Sequence, residues 1–273
     1  MDGSWPTKGL KTATIYRNGR AEALPNLPYS IHHASLTVYK GTVRLCGGIV
    51  DETRLSSDCL QFSIFNTLQW EKSGTLPQYM HDHRGVQVLD DMWAFNEDHI
   101  YVVPQTGNVT VIRWPHETSL RYSCAQTNGV ITIVLPNQSK DVYINLNATT
   151  PQSWIKLAKL PAGLEWRSCF LMGSTFYVTG GWIADSNTYS KETYVIDIEK
   201  EGSVQRVGDL LAARRTHSMG VVDGAPAVFG GWNGKKYVEG TEIYDTATKK
   251  WRSSRVKMVT PSARIASISF AVN

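Results

Sequence analysis

Two imidazoles flank a carboxylate in His81-Asp82-His83, and a second pair stands at His32-His33, so four of the seven histidines fall in two short runs. Imidazole and carboxylate are zinc ligands, but two histidines at i and i+2 without a third ligand at a recognisable spacing are a weak metal signal. The expectation is a solvated loop with no metal and no cofactor. A second chemistry is guanidinium beside indole: Arg121, Arg167, Arg214 and Arg215 alternate along the chain with Trp166, Trp182 and Trp232. Arginine offers bidentate hydrogen bonds to carboxylates and tryptophan offers rigid contact area, which together suit an acidic or polar peptide. A third chemistry is the thiol. Cys46 and Cys59 stand at the end of one expected strand and the start of the next, within disulfide reach if those strands pair. A bridge there would close a short loop and add roughly 3 kcal/mol. No G-x-S-x-G run occurs, so the chain lacks that serine-nucleophile signature.

Composition narrows the classes. A chain of 273 residues with 42% apolar residues can bury a sizeable core, and nine Trp with twelve Tyr suit sheets packed face to face. The net charge of +4 is modest and its basic residues are dispersed, unlike the concentrated patch of a nucleic-acid binder. No apolar run reaches the ~18 residues of a membrane span. The stretch from Met1 to Arg20 lacks the apolar centre of a leader peptide. With four cysteines, too few for a disulfide framework, this predicts a cytoplasmic monomer with free buried thiols, bound neither to nucleic acid nor to membrane.

The elements that must carry these residues repeat. Gly180-Gly181 and Gly230-Gly231 are each followed, at the same distance, by Glu-x-Tyr: Glu192 and Tyr194, then Glu242 and Tyr244. Gly47-Gly48 is a third doublet. Between Gly48 and Gly180 lie two units without the doublet, in which Met92 to Phe95 and Ile131 to Leu135 end where a doublet would fall. Trp114 and Trp154 follow those two runs as Trp70 and Trp251 follow the first and last doublets. The chain ends supply a sixth unit: two strands around an Asn18-Gly19 turn, and one strand over residues 258–273. No amphipathic helix is apparent.

The best-formed unit, Ala227 to Trp251, resembles a kelch repeat, one blade of a kelch β-propeller. The resemblance is strongest from Gly163 to Arg264. It implies an all-β, six-bladed propeller of four-stranded antiparallel blades, a single domain over 1–273. The blades would be 28–77, 80–115, 120–158, 163–208 and 212–258, closed by 12–27 together with 260–273. In kelch proteins the conserved-type Tyr and Trp pack between blades, which assigns Tyr194, Tyr244, Trp70, Trp114, Trp154 and Trp251 to structure. Propeller topology also gathers Arg121, Arg167, Arg214, Arg215, His83, His217, Trp182 and Trp232 on one loop-rich face. The implied function is a non-catalytic scaffold binding another protein there. Other kelch proteins imply alternatives. One is the substrate-recognition part of a cullin-type ubiquitin ligase adaptor, although no BTB segment stands before residue 12. Another is a galactose-oxidase-like copper enzyme, which needs a Tyr–Cys cross-link and for which Cys124 and Cys169 are the cysteines on inner strands. A third is a secreted adhesion or lectin-like protein. For the last, Leu45-Cys46-Gly47-Gly48 with Asp58-Cys59-Leu60 is similar to a pattern in extracellular kelch-like proteins, and the acceptor sequons at Asn108, Asn137 and Asn147 agree.

Overall fold

The computed structural model describes residues 10–17, 20–63, 69–105 and 107–257. Within them all regular structure is strand. Five antiparallel four-stranded sheets follow one another, each laid down in chain order. The first comprises Ser35–Tyr39, Thr42–Cys46, Asp58–Ser63 and Glu71–Thr75, and the second Arg84–Val88, Asp91–Asn96, His99–Val103 and Thr110–Arg113. The third comprises Cys124–Thr127, Thr132–Leu135, Asp141–Asn145 and Ile155–Lys159, and the fourth Ser168–Met172, Thr175–Thr179, Thr193–Asp197 and Ser203–Val207. The fifth comprises Ser218–Val222, Ala225–Phe229, Gly240–Asp245 and Lys250–Lys257. The first strand of each sheet packs beside the first strand of the next, so the sheets are arrayed about these inner strands as in a β-propeller. A two-stranded sheet, Ala13–Arg17 with Arg20–Leu24, precedes them, and its second strand packs along Lys250–Lys257. The strand expected over 258–273 and the Asn18-Gly19 turn lie outside the described residues.

Burial follows radial position. Thr132–Leu135, a second strand, is buried at all four residues, as a strand covered on both faces must be, whereas Thr110–Arg113, a fourth strand, is largely exposed. The core therefore lies between sheets. One cluster joins Trp93 and Phe95 of the second sheet to Tyr143 and Trp154 of the third, with Trp114 in edge contact with both. Another joins Tyr177 of the fourth sheet to Tyr244 and Trp251 of the fifth. The Trp251 indole donates to Thr193 of the fourth sheet at 2.8 Å. Trp70 packs on Phe62 and donates to the Pro25 carbonyl at 3.0 Å. Tyr194 belongs to the cluster between the third and fourth sheets.

The glycine doublets permit a close approach of backbone. Gly48 N–H donates to the Met80 carbonyl at 2.7 Å, and Gly181 N–H to the Arg214 carbonyl at 2.9 Å, in each case the segment leading into the following sheet. A Cβ on Gly47 would stand 2.5 Å from the Met80 carbonyl oxygen, and one on Gly180 2.4 Å from that of Arg214. Each also lies against an imidazole, His83 and His217 respectively.

The thiols differ from expectation. All four cysteines are bridged, Cys46 to Cys59 and Cys124 to Cys169. Cys46 and Cys59 are directly paired across two neighbouring strands of the first sheet, 4.1 Å apart at Cα. Cys124 and Cys169 open the inner strands of the third and fourth sheets and fasten one sheet to the next. Spans of 13 and 45 residues correspond, in a chain-entropy account, to about 3 and about 4 kcal/mol.

Arg214 is likewise a structural residue, 1% exposed. Its guanidinium pairs with Glu242 and donates to the Gly230 carbonyl at 2.9 Å and the Gly240 carbonyl at 3.2 Å. Glu242, 3% exposed, also accepts from the amides of Leu211 and Ala212. Removing one member of such a pair leaves a buried charge without its partner. Glu242→Ala is therefore expected to lower unfolding stability by about 3 to 5 kcal/mol, read as a fall in thermal midpoint; an unchanged midpoint would contradict this role.

Candidate functional site

Each of the five sheets is entered by a segment whose residue two positions before the first strand is left-handed. These are His33, Asp82, Tyr122, Trp166 and Thr216, with φ between 51° and 58°. None is glycine, so the conformation is imposed by its surroundings at a cost of order 1 kcal/mol or more each. The segments bond to one another around the face. Asp82 N–H donates to the His33 carbonyl at 3.0 Å, Tyr122 N–H to that of Asp82 at 2.8 Å, and Thr216 N–H to that of Trp166 at 3.0 Å. At the third sheet the Asn137 side chain takes over, accepting from Trp166 N–H at 3.0 Å.

These segments gather two clusters. In the first, the Asp82 carboxylate sits between two imidazoles, with His33 Nδ1 2.6 Å from one oxygen and His81 Nδ1 2.7 Å from the other. Arg121 Nη2 lies 3.6 Å from the second oxygen and 3.4 Å from the ring nitrogens of His81. The His33 and Asp82 side chains are 7% and 6% exposed while His81 and Arg121 remain partly exposed, so the expected solvated loop is instead a part-buried polar cluster. Among the described residues, His33, His81 and Asp82 form the group whose donors lie close enough together to hold a metal ion. Their separations are shorter than the about 3.3 Å between donors around tetrahedral zinc, and Arg121 already supplies a cation. The arrangement is that of a carboxylate held by two imidazoles and a guanidinium.

The second cluster is aromatic. Trp166 and Trp182 stack at 5.3 Å with 24° between their planes. The Arg215 guanidinium lies 4.3 Å from the Trp166 ring, 5.3 Å from Tyr189 and 5.6 Å from Trp182. Trp182 is fixed by donating to Asn187 at 3.1 Å. Trp232 stands edge-on to Tyr237 at 5.2 Å and is joined to Arg215 by reciprocal backbone bonds of 3.0 Å. Tyr122 connects the clusters, 5.1 Å from the Arg121 guanidinium and 6.0 Å from Trp166.

Of the residues assigned to this face from sequence, Arg121, Trp182 and Trp232 are partly exposed. Arg215 is 7% exposed beneath its aromatic cover. Arg167 donates to the Ser139 carbonyl at 2.6 Å and the Leu164 carbonyl at 3.2 Å, and burial lowers its pKa to about 10. His217 is buried, with Nε2 2.7 Å from the Thr179 hydroxyl. His83 is buried against Gly47. His83, Arg214 and His217 are buried and serve the scaffold, whereas Arg167 is part-buried and directs its guanidinium at the Ser139 and Leu164 carbonyls. Sequence reading missed Tyr122 and Tyr189 as members of the site, and took Asp82 with its flanking histidines as a solvated loop. Alignment of the units on their first strands would have placed Asp82 and Tyr122 at one recurring position. The Cys124–Cys169 bridge leaves neither cysteine for the cross-link of a copper radical site.

Comparison with family models matches the Kelch motif over residues 213–254. Among solved structures, one described as "Structure of YjhT" aligns with 92% of this chain and 98% of its own, at a TM-score of 0.73 and 13% identity, a likeness of fold. No curated protein matches the chain.

Burial, partly offset by the Asp82 carboxylate, pushes the His83 pKa from 6.5 down to about 4. An unfolded His83 takes up its proton near pH 6.5, so stability is full above that pH. It declines as pH falls towards 4, at about 1.4 kcal/mol per unit and about 3 kcal/mol in all. Chemical denaturation across pH 7 to 4 should show this loss together with one from His217, whose pKa burial also lowers, so His83→Asn should make the slope shallower; an equally steep slope in that variant would refute the assignment.

Proposed function

We propose that this chain, which carries the kelch repeat, is a non-catalytic binding module whose partner protein docks on the face formed by the five lead-in segments. The observation that carries this reading is the partly exposed aromatic row Tyr122, Trp166, Trp182 and Tyr189, the last three packed on Arg215 and the first on Arg121 and Trp166. Rings fixed in advance lose little entropy on contact and are the commonest energetic anchors of interfaces. Beside them Arg121 offers an accessible guanidinium for a carboxylate. The partner segment we infer therefore combines an apolar or aromatic side chain with an acidic or polar neighbour. Arg121→Ala combined with Trp182→Ala should abolish affinity capture of the proteins that the unaltered chain retains, with the thermal midpoint unchanged. Undiminished capture by the double variant would overturn the site.

A second reading concerns setting. Two disulfides favour an oxidising compartment over the cytoplasm, where such bridges are rare. Among the alternatives this supports a secreted or surface-displayed adhesion-type kelch protein over a cullin adaptor.

We also infer a ring of six blades, the sixth built from Ala13–Arg17, Arg20–Leu24 and the segment 258–273. Support comes from Arg20–Leu24 packing along the last strand of the fifth sheet, and from the hazard an unpaired strand edge would present. Deleting 258–273 should lower the thermal midpoint and promote self-association on gel filtration; a truncated chain that remains monomeric at the original midpoint would contradict closure.

A further inference from the structure

We propose that the chain carries N-linked glycans on Asn108 and Asn147, on the side opposite the lead-in face, while the third sequon at Asn137 stays bare. The inference rests on the oxidising-compartment reading, since the same secretory route forms disulfides and transfers glycans.

The three acceptor sequences differ in setting. In Asn108-Val109-Thr110 and Asn147-Ala148-Thr149 both the asparagine and the threonine are exposed. At the second of these, Asn147 Oδ1 accepts from the Thr149 amide at 2.9 Å and the Thr149 hydroxyl at 2.8 Å, which holds the amide turned outward on an exposed loop. Asn137-Gln138-Ser139 is unlike them. Asn137 is part-buried and bonded to Trp166 N–H, and the buried Ser139 hydroxyl donates to the Asp141 carbonyl at 3.1 Å and accepts from the Asp141 amide at 2.9 Å.

Topology decides the side. Each first strand starts at the lead-in face, so in an antiparallel sheet the second-to-third connection returns to that face. The first-to-second and third-to-fourth connections lie on the far one. Asn108 and Asn147 lie in third-to-fourth connections, of the second and third sheets. Asn137 lies in a second-to-third connection, beside the aromatic row. The far side of these same two sheets is also unusually apolar. Of nine exposed large hydrophobic residues among those described, five belong to their far turns and outer strands: Leu89, Val111, Val130, Leu146 and Ile155. Sugar attached at two neighbouring sheets would shield that surface from self-association and leave the aromatic row free.

The chemistry is a transfer from a lipid-pyrophosphate-linked oligosaccharide. Asparagine Nδ2 forms a bond to the anomeric carbon, that carbon's bond to the pyrophosphate oxygen breaks, the lipid pyrophosphate leaves, and the amide gives up one proton.

The test uses the chain isolated from its own source, with free thiols alkylated before reduction. Enzymatic deglycosylation in heavy-oxygen water then marks every occupied asparagine as labelled aspartate for peptide mass spectrometry. The expected result is label at Asn108 and Asn147, none at Asn137, and no alkylated cysteine. Oxidised cysteines with Asn108 or Asn147 unlabelled would overturn the glycan assignment alone. Label at Asn137 would overturn the bare lead-in face, and alkylated cysteines would overturn the compartment reading and this inference with it.

Discussion

The structure depends on one close approach, that of each lead-in segment to the end of the second strand in the sheet before it. At the first and fourth sheets the contact is a hydrogen bond from the second glycine of a doublet to a carbonyl of the following segment. No side chain fits between, because a Cβ on the first glycine would collide with that same carbonyl oxygen. A hydrogen bond at this point fixes both the spacing of successive sheets and the path of the chain onto the binding face. The glycines are therefore positional constraints on the face as well as on the core. Where doublets are absent, other polar groups make the contact: at the third sheet the Asn137 side chain holds Trp166.

This explains why the scaffold was legible in the sequence and the site only in part, with Arg121, Trp166, Trp182 and Arg215 singled out but not the Tyr122 and Tyr189 rings that complete it. Glycine doublets, interleaved tryptophans and the Glu-x-Tyr step each have a physical role that one residue type fills best, so the repeat leaves a signature of types. The left-handed position at the head of each sheet is filled by His33, Asp82, Tyr122, Trp166 and Thr216, five types with nothing in common but place. Adjacent arginines illustrate the same limit. Arg214 turns inward to Glu242, whereas Arg215 turns towards indole rings, and which does which depends on a one-residue difference in place along the lead-in segment. The Cys124–Cys169 bridge was hidden for a related reason: it joins neighbouring sheets, so its partners are set by lateral packing and not by hairpin spacing.

The two bridges divide the work of holding the array. Cys46–Cys59 lies within one sheet, where backbone bonds already pair the strands, and it secures the loop between residues 47 and 57 that the doublet begins. Cys124–Cys169 spans two sheets at their inner strands, where the backbone ladder does not reach. That junction is also where the doublet is missing, since the third sheet ends its second strand at Leu135 and continues through Pro136 and Asn137. A covalent link thus stands at one of the two junctions that lack a doublet; at the other, after the second sheet, the Leu120 amide donates to the Glu97 carbonyl instead.

The face that results is divided by chemistry. On the side of the first two sheets it is ionic, with one carboxylate shared among two imidazoles and a guanidinium, charges already balanced against each other. Asp82 already faces Arg121, so a ligand carboxylate gains from that guanidinium only on direct contact, through the part of it that remains exposed. On the side of the fourth and fifth sheets it is aromatic, and there the guanidinium of Arg215 is covered, so it stiffens the rings without competing for water. Binding free energy should therefore concentrate on the aromatic side, with the ionic side setting orientation and rejecting segments of the wrong charge. Tyr122, which touches both Arg121 and Trp166, is the point at which those two contributions couple.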